Sequence, residues 1–95
     1  MDDLTLDWDD ANIGHIAKHD VMPEEVEEVV LGDPVNAGFE VVDGEDRWTY
    51  VGETALARIL RIVVTVRGER IRAKTAYEAP KYWTAFFLEQ KAGQQ

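Results

Sequence analysis

Arg70, Arg72 and Lys74 alternate within the segment Glu69-Arg70-Ile71-Arg72-Ala73-Lys74-Thr75-Ala76-Tyr77. In a strand, alternate side chains share a face, so these cations would stand about 6.6–7 Å apart while Ile71, Ala73 and Thr75 point the other way. That pitch resembles the spacing of phosphates along a nucleic-acid backbone. Arg70 and Lys74 are therefore candidate phosphate holders, and Arg72 is a candidate for stabilising charge on a reacting phosphate. The plainer alternative is a sheet face made soluble by charge and offset by Glu69, Glu45 and Asp46. Arg47, Arg58 and Arg61 join the stripe if their strands pair in the right register, which the sequence leaves open.

The second group is Lys18-His19, with His15 four residues earlier on the same helical face. Imidazole is the side chain that takes or gives a proton near neutral pH, and RNA cleavage needs both moves: a proton leaves the 2′-hydroxyl and another reaches the departing oxygen. The competing reading has His19 closing a helix as a cation against its C-terminal dipole. Adjacent helical residues diverge by about 100°, so Lys18 and His19 do not address one point from their own helix, although either could reach a groove beside it. Two histidines at i and i+4 can bind a metal, but no Glu follows in zinc-protease order. No metal and no cofactor is expected.

These side chains need a scaffold. Leu4 to Trp8 alternates apolar and polar as a short strand would. Asp9 or Asp10 can cap a helix that runs to about His19, with Ile13 and Ile16 as its apolar face. Pro23, Glu24 and Glu25 suit the start of a second helix, whose Val26, Val29 and Val30 recur at helical spacing until Gly32-Asp33-Pro34 ends it. The period then switches to two. Strands are expected over Val35 to Val42, Arg47 to Gly52, Ile59 to Val66 and Glu69 to Tyr77, with Asp43-Gly44 and Arg67-Gly68 as turns. The near-continuous apolar run of Ile59 to Val64 reads as a central strand covered on both faces. Ala79-Pro80 opens a closing helix with Tyr82, Trp83, Phe86 and Phe87 at helical spacing. The expected architecture is α+β: two N-terminal helices, an antiparallel four-stranded meander sheet and one C-terminal helix, with the helices gathered on one face. Tyr82, Trp83 and Phe86 serve as the lid of the core or, since four aromatics in so short a helix is heavy, as a surface for a second chain.

Composition bounds the function. Ninety-five residues, 45% of them hydrophobic, make one small domain over 1–95, with 92–95 expected to fray. The absence of cysteine excludes disulfides and thiolate zinc sites. No apolar run approaches the ~20 residues of a membrane span, and the opening residues lack a signal-peptide pattern, so no membrane role and a cytoplasmic location are the expectation. A net charge of −9 taken alone disfavours a phosphate binder. The charge is uneven, however: residues 1–40 carry twelve acids and one base, whereas residues 41–95 carry seven acids and nine bases. That split reads either as a solvated acidic helix pair or as a basic working face with an acidic shield beside it.

The order and spacing of several short pieces resemble the BrnT family of ribonuclease toxins. They are Trp8-Asp9, Asn12, Lys18-His19, Val21, Glu25 and Asp33-Pro34, then Arg47, Gly52, Arg58-Ile59-Leu60, Val63-Val64-Thr65, Arg67-Gly68 and Ile71-Arg72. The resemblance covers about residues 6–80. It implies a small RelE-like or microbial-ribonuclease-like α+β fold and a toxin that cleaves RNA, held in check by an antitoxin, a small DNA-binding protein encoded nearby. The chain departs from the family pattern after residue 76. Tyr77 follows Ala76 where an arginine is expected, Trp83 and Thr84 occupy a Glu-Arg pair, and Phe87 replaces a tyrosine.

The expected catalytic set is therefore His19, Lys18, Arg72 and Tyr77, with His19 as acid–base group and Tyr77 orienting the phosphate. The expected RNA-phosphate set is Arg47, Arg58, Arg70 and Lys74, and the expected partner surface is Tyr82, Trp83 and Phe86. The expected function is an endoribonuclease toxin with an altered, weakened or lost activity. The alternative is a non-catalytic module of the same fold that forms a homo-oligomer or binds an antitoxin-like protein.

Overall fold

The computed structural model describes residues 5–93. Along the chain run β1 (Thr5–Leu6), α1 (Asp10–Ala17), α2 (Pro23–Val30), β2 (Val35–Val42), β3 (Glu45–Glu53), β4 (Ile59–Arg67), β5 (Arg70–Glu78) and α3 (Lys81–Ala92). The four long strands form the expected antiparallel meander, but the sheet has five strands in the order β1-β5-β4-β3-β2. The fifth is β1, which pairs parallel with β5 at Thr5↔Arg70 and Leu6↔Ile71 and makes the sheet mixed. Leu4, the expected start of that strand, lies outside the described residues, as do Gln94 and Gln95 of the expected tail. Ala92 is the last residue of α3 and Gly93 its C-cap, with the Gly93 N–H bonded to the Glu89 carbonyl at 3.0 Å.

The hairpin turns follow their residues. Asp43 and Gly44 both take positive φ, 51° and 78°, as a two-residue turn matched to strand twist requires. Gly68, at φ 63°, does the same between β4 and β5.

β4 is the middle strand, and its alternation divides the molecule into two layers. Leu60, Ile62 and Val64 are fully or nearly fully buried against Ile16 of α1, Val26 and Val29 of α2, and Ile71, Ala73 and Ala76 of β5. Each such side chain contributes about 1.5–3 kcal/mol by leaving water. The opposite face carries Val35 and Val51, against which α3 places Phe87, with Ile59, Trp83 and Phe86 packed around them. The helices are therefore not gathered on one face: α1 and α2 cover the inner face, and α3 covers part of the outer one. The reason lies in β4 and β3, whose outward positions Ile59 and Val51 are too apolar to stay in water. α3 covers only that end of the outer face. The remainder, where Arg47, Arg67, Arg70 and Arg72 project, is open and charged.

Gly52 shows how closely the inner layer packs. A Cβ there would lie 2.7 Å from Val29 Cγ1 and 3.3 Å from Pro34 Cβ. Among the described residues no helix is long and apolar enough to cross a membrane.

Candidate functional site

Helix α1 is fixed by its first turn. Asp9 is the N-cap: its carboxylate accepts from the Asn12 N–H at 3.0 Å, and the Asn12 side chain accepts from the Asp9 N–H at 2.9 Å. The Asn12 amide also donates to the Asp7 carbonyl at 2.8 Å, so this buried polar group is satisfied three times over. Asn12 and Ile16 form the inner side of the helix, and Ile13, expected beside Ile16, is turned toward solvent. The helix ends at Ala17, two residues before its expected limit. Lys18 is the C-cap, and Asp20 takes a left-handed φ of 62° to redirect the chain.

This orientation sets both histidines beside β5. The ring of His15 lies with its Nε2 3.2 Å from Thr75 Oγ1. His15 and His19 meet edge to face at 5.7 Å between ring centroids, and His19 meets the Tyr77 ring edge-on at 5.8 Å. His19 is thus engaged with β5 rather than acting only as a helix-end cation. Lys18 points from the next position round the turn, and its side chain makes no hydrogen bond or ion pair among the described residues. It does not join the cluster.

Thr75 was expected to share a face with Ile71 and Ala73, opposite the cations. A β-bulge moves it. Val63 pairs with Thr75 while Val64 pairs with Ala73, so Lys74 is an extra residue in β5. Beyond it the alternation is reset: Ala76 is buried in the inner core, and Thr75 and Tyr77 share the outer face with Arg70 and Arg72.

Arg61 lies directly opposite Tyr77 across the β4–β5 pairing and donates from NH1 to the Tyr77 hydroxyl. Its guanidinium lies 5.6 Å from the Tyr77 ring centroid and 5.3 Å from that of Trp83, within cation–π range of both. Its Nε–H is buried with no acceptor among the described residues, an arrangement that costs about 1–3 kcal/mol.

The stripe is assembled as expected, but its cations are already matched by acids. Arg47 and Arg67 each lie 3.0 Å from Glu45, and Lys74 lies 3.5 Å from it. Hydrogen bonds from Arg67 and then Arg47, with the charge of Lys74 added, lower the Glu45 carboxyl to about 2. Arg70 reaches Asp7 at 3.0 Å, and Arg72 spans Asp7 at 3.6 Å and Asp9 at 2.9 Å. The Asn12 N–H, assisted by Arg72, holds Asp9 below the usual carboxylate range. A shallow groove between the stripe and α1 is lined by Ala11, Asn12, His15, Arg72, Ala73 and Lys74.

Arg58 stands apart from the stripe. From the β3–β4 connection it donates to the Asp20 carbonyl at 2.8 Å and to both Glu25 oxygens at 3.0 Å, and it approaches Glu78 at 3.7 Å. Glu25 also accepts from the Met22 N–H at the start of α2. These bonds tie the α1–α2 turn to the sheet. On α3, Phe87 is buried and Trp83 and Phe86 are half-buried, whereas Tyr82 is 71% exposed with its ring against Trp83. Among the described residues no three His, Cys, Asp or Glu side chains converge to hold a metal.

Two participants escaped the sequence. Thr75 was hidden because nothing in its neighbours announces the bulge. Arg61 was named only as one more possible member of the stripe, although a lone cation within the apolar run Ile59 to Val64 is a signal that could have singled it out.

A family model described as the ribonuclease toxin, BrnT, of type II toxin–antitoxin systems matches residues 8–82. No curated protein matches the chain.

Proposed function

Because the chain belongs to the BrnT family of ribonuclease toxins of type II toxin–antitoxin systems, we propose that it is a cytoplasmic endoribonuclease whose reaction centre is the His15–His19–Tyr77 cluster beside β5. The observation that carries this reading is the meeting of two imidazoles and a phenol at 5.7 and 5.8 Å, next to an outer face rich in arginine. A pair of imidazoles can divide the two proton transfers of RNA cleavage. In the proposed step the 2′-oxygen attacks phosphorus and the bond to the 5′-oxygen breaks. His19 accepts the 2′-hydroxyl proton, and His15 supplies a proton to the departing oxygen. The products are a 2′,3′-cyclic phosphate end and a 5′-hydroxyl end, and no cofactor enters the balance. Arg72 and Lys74, on the groove beside His15, guide the flanking phosphates, with Arg47 and Arg70 further out.

The direct test incubates the purified chain with end-labelled RNA. Cyclic-phosphate ends are expected, and His19→Ala should lower the rate by about 10²–10⁴-fold. RNA left intact, together with harmless expression in a bacterial host, would remove the reading.

A type II family implies an antitoxin partner, and a small DNA-binding protein encoded nearby is the proposed one. The exposed Tyr82, with Trp83 and Phe86 behind it, is a surface such a protein could cover. The non-catalytic alternative is favoured by one observation, the pairing of every stripe arginine with a carboxylate. Under that reading the chain co-purifies with its partner or forms a homo-oligomer, and it neither cleaves nor binds RNA.

A further inference from the structure

We propose that Arg61 is the guanidinium that grips the reacting phosphate, and that Tyr77 and Trp83 position it; this rests on the ribonuclease reading above. The chain has six arginines, and all lie among the described residues. Five of them hold a carboxylate: Arg47 and Arg67 hold Glu45, Arg58 holds Glu25, Arg70 holds Asp7, and Arg72 holds Asp9. Arg61 alone has no carboxylate partner among the described residues. A phosphate arriving at Arg72 must displace Asp7 and Asp9, whereas one arriving at Arg61 displaces no acid. Half-buried between aromatic rings, the Arg61 charge is also screened less by water than the charges of the open stripe.

Geometry supports the same choice. Arg61 and His19 both lie against the Tyr77 ring, at 5.6 and 5.8 Å from its centroid. The cation and the proton-transfer group are therefore set around one rigid side chain. Tyr77 accepts a hydrogen bond from Arg61, which leaves its own O–H free to donate to a phosphate oxygen. The ring of Trp83 lies 5.3 Å from the guanidinium and restricts its rotation. Tyr77 and Trp83 both contact Arg61. Arg61 reaches Tyr77 from the directly opposed position of the neighbouring strand, about 4.7–4.9 Å away.

The test uses the full chain and its Arg61→Met, Arg61→Lys and Tyr77→Phe variants, each first checked for a cooperative melt. Single-turnover cleavage is measured beside binding of an uncleavable 2′-deoxy dinucleotide. Loss of the guanidinium in Arg61→Met should lower turnover by about 10²–10³-fold, the scale set by removing one donor to a transition-state oxyanion. Arg61→Lys should recover part of that loss. Tyr77→Phe should lower kcat about tenfold with KM little changed, on the order of one hydrogen bond. If Arg61→Met cleaves as fast as the wild type while His19→Ala does not, the Arg61 inference fails and the ribonuclease reading stands. If the wild type does not cleave, the ribonuclease reading fails, and the dinucleotide then decides the Arg61 site. Tighter binding to the wild type than to Arg61→Met supports it, and equal or absent binding overturns it. Arg61→Lys carries the same comparison if Arg61→Met does not fold.

Discussion

The outer face of the sheet has two ends that handle positive charge in opposite ways. At the end bearing Arg47, Arg67, Arg70, Arg72 and Lys74, every cation lies within ion-pair distance of Glu45, Asp7 or Asp9. At the end nearest α3, Arg61 is held by a phenol and an indole and meets no carboxylate among the described residues. Each cation of the charge-rich end already has an acid within reach, and the one at the charge-poor end has none among the described residues. Counting cations is therefore a poor guide to where an anion binds, since a guanidinium already carrying an acid must give it up first.

The largest expected effect separates the two ends by chemistry. His19→Ala should cost about 10²–10⁴-fold in turnover, whereas Arg70→Ala, whose pair with Asp7 is well exposed, should change it by a factor of a few. Single-turnover rates on one labelled RNA check both, and equal losses would erase the distinction. The next effect concerns the support they share. Asn12→Ala removes two side-chain bonds at the start of α1 and should destabilise the fold by on the order of 2 kcal/mol, read from the urea midpoint. A smaller effect sharpens the account of the acid-paired end. Glu45→Gln unmasks Arg47, Arg67 and Lys74, so RNA affinity should rise several-fold and fall more steeply with salt. Unchanged affinity would mean that the stripe meets no phosphate.

The smallest effect is one of pH. The Glu45 carboxyl is lowered from 4.5 to about 2, so its stabilising contribution is complete above about pH 4.5 and is lost as pH falls through about 2. The stability difference between wild type and Glu45→Gln should hold constant from pH 7 to 5 and shrink between about 4.5 and 2. Urea titrations across that range measure it.

Much of this could be read from the residues. The alternation of β2 to β5, both tight turns and the two N-terminal helices follow from local patterns, because period and turn chemistry are local properties. Asn12, Glu25, Arg58 and Gly52, four of the residues on which the family resemblance was read, have building roles: Asn12 completes the α1 cap, Glu25 and Arg58 join α2 to the sheet, and Gly52 leaves room for Val29 and Pro34. Other features depend on tertiary pairing and could not be read. The parallel pairing of β1 needs a partner more than sixty residues away. The position of α3 on the outer face depends on how far Val51 and Ile59 project there. The pairing of each arginine with its acid depends on register, which a sequence does not state. His19, Tyr77 and Arg72 were nameable from residue type. That Arg61 rather than Arg58 would stand beside them was not, because only the strand register aligns 61 with 77.

The doubled residue at Lys74 has a consequence for how this protein tolerates length changes. Deleting one codon there would restore strict alternation and leave every side chain beyond it on its present face, because Ala73 and Thr75 already pair with the consecutive residues Val64 and Val63 of β4. Loss of this one residue would therefore remove a cation and the local kink while Ala76 stayed inside and Tyr77 outside, whereas one residue added to a regular part of the strand would exchange inside for outside beyond it.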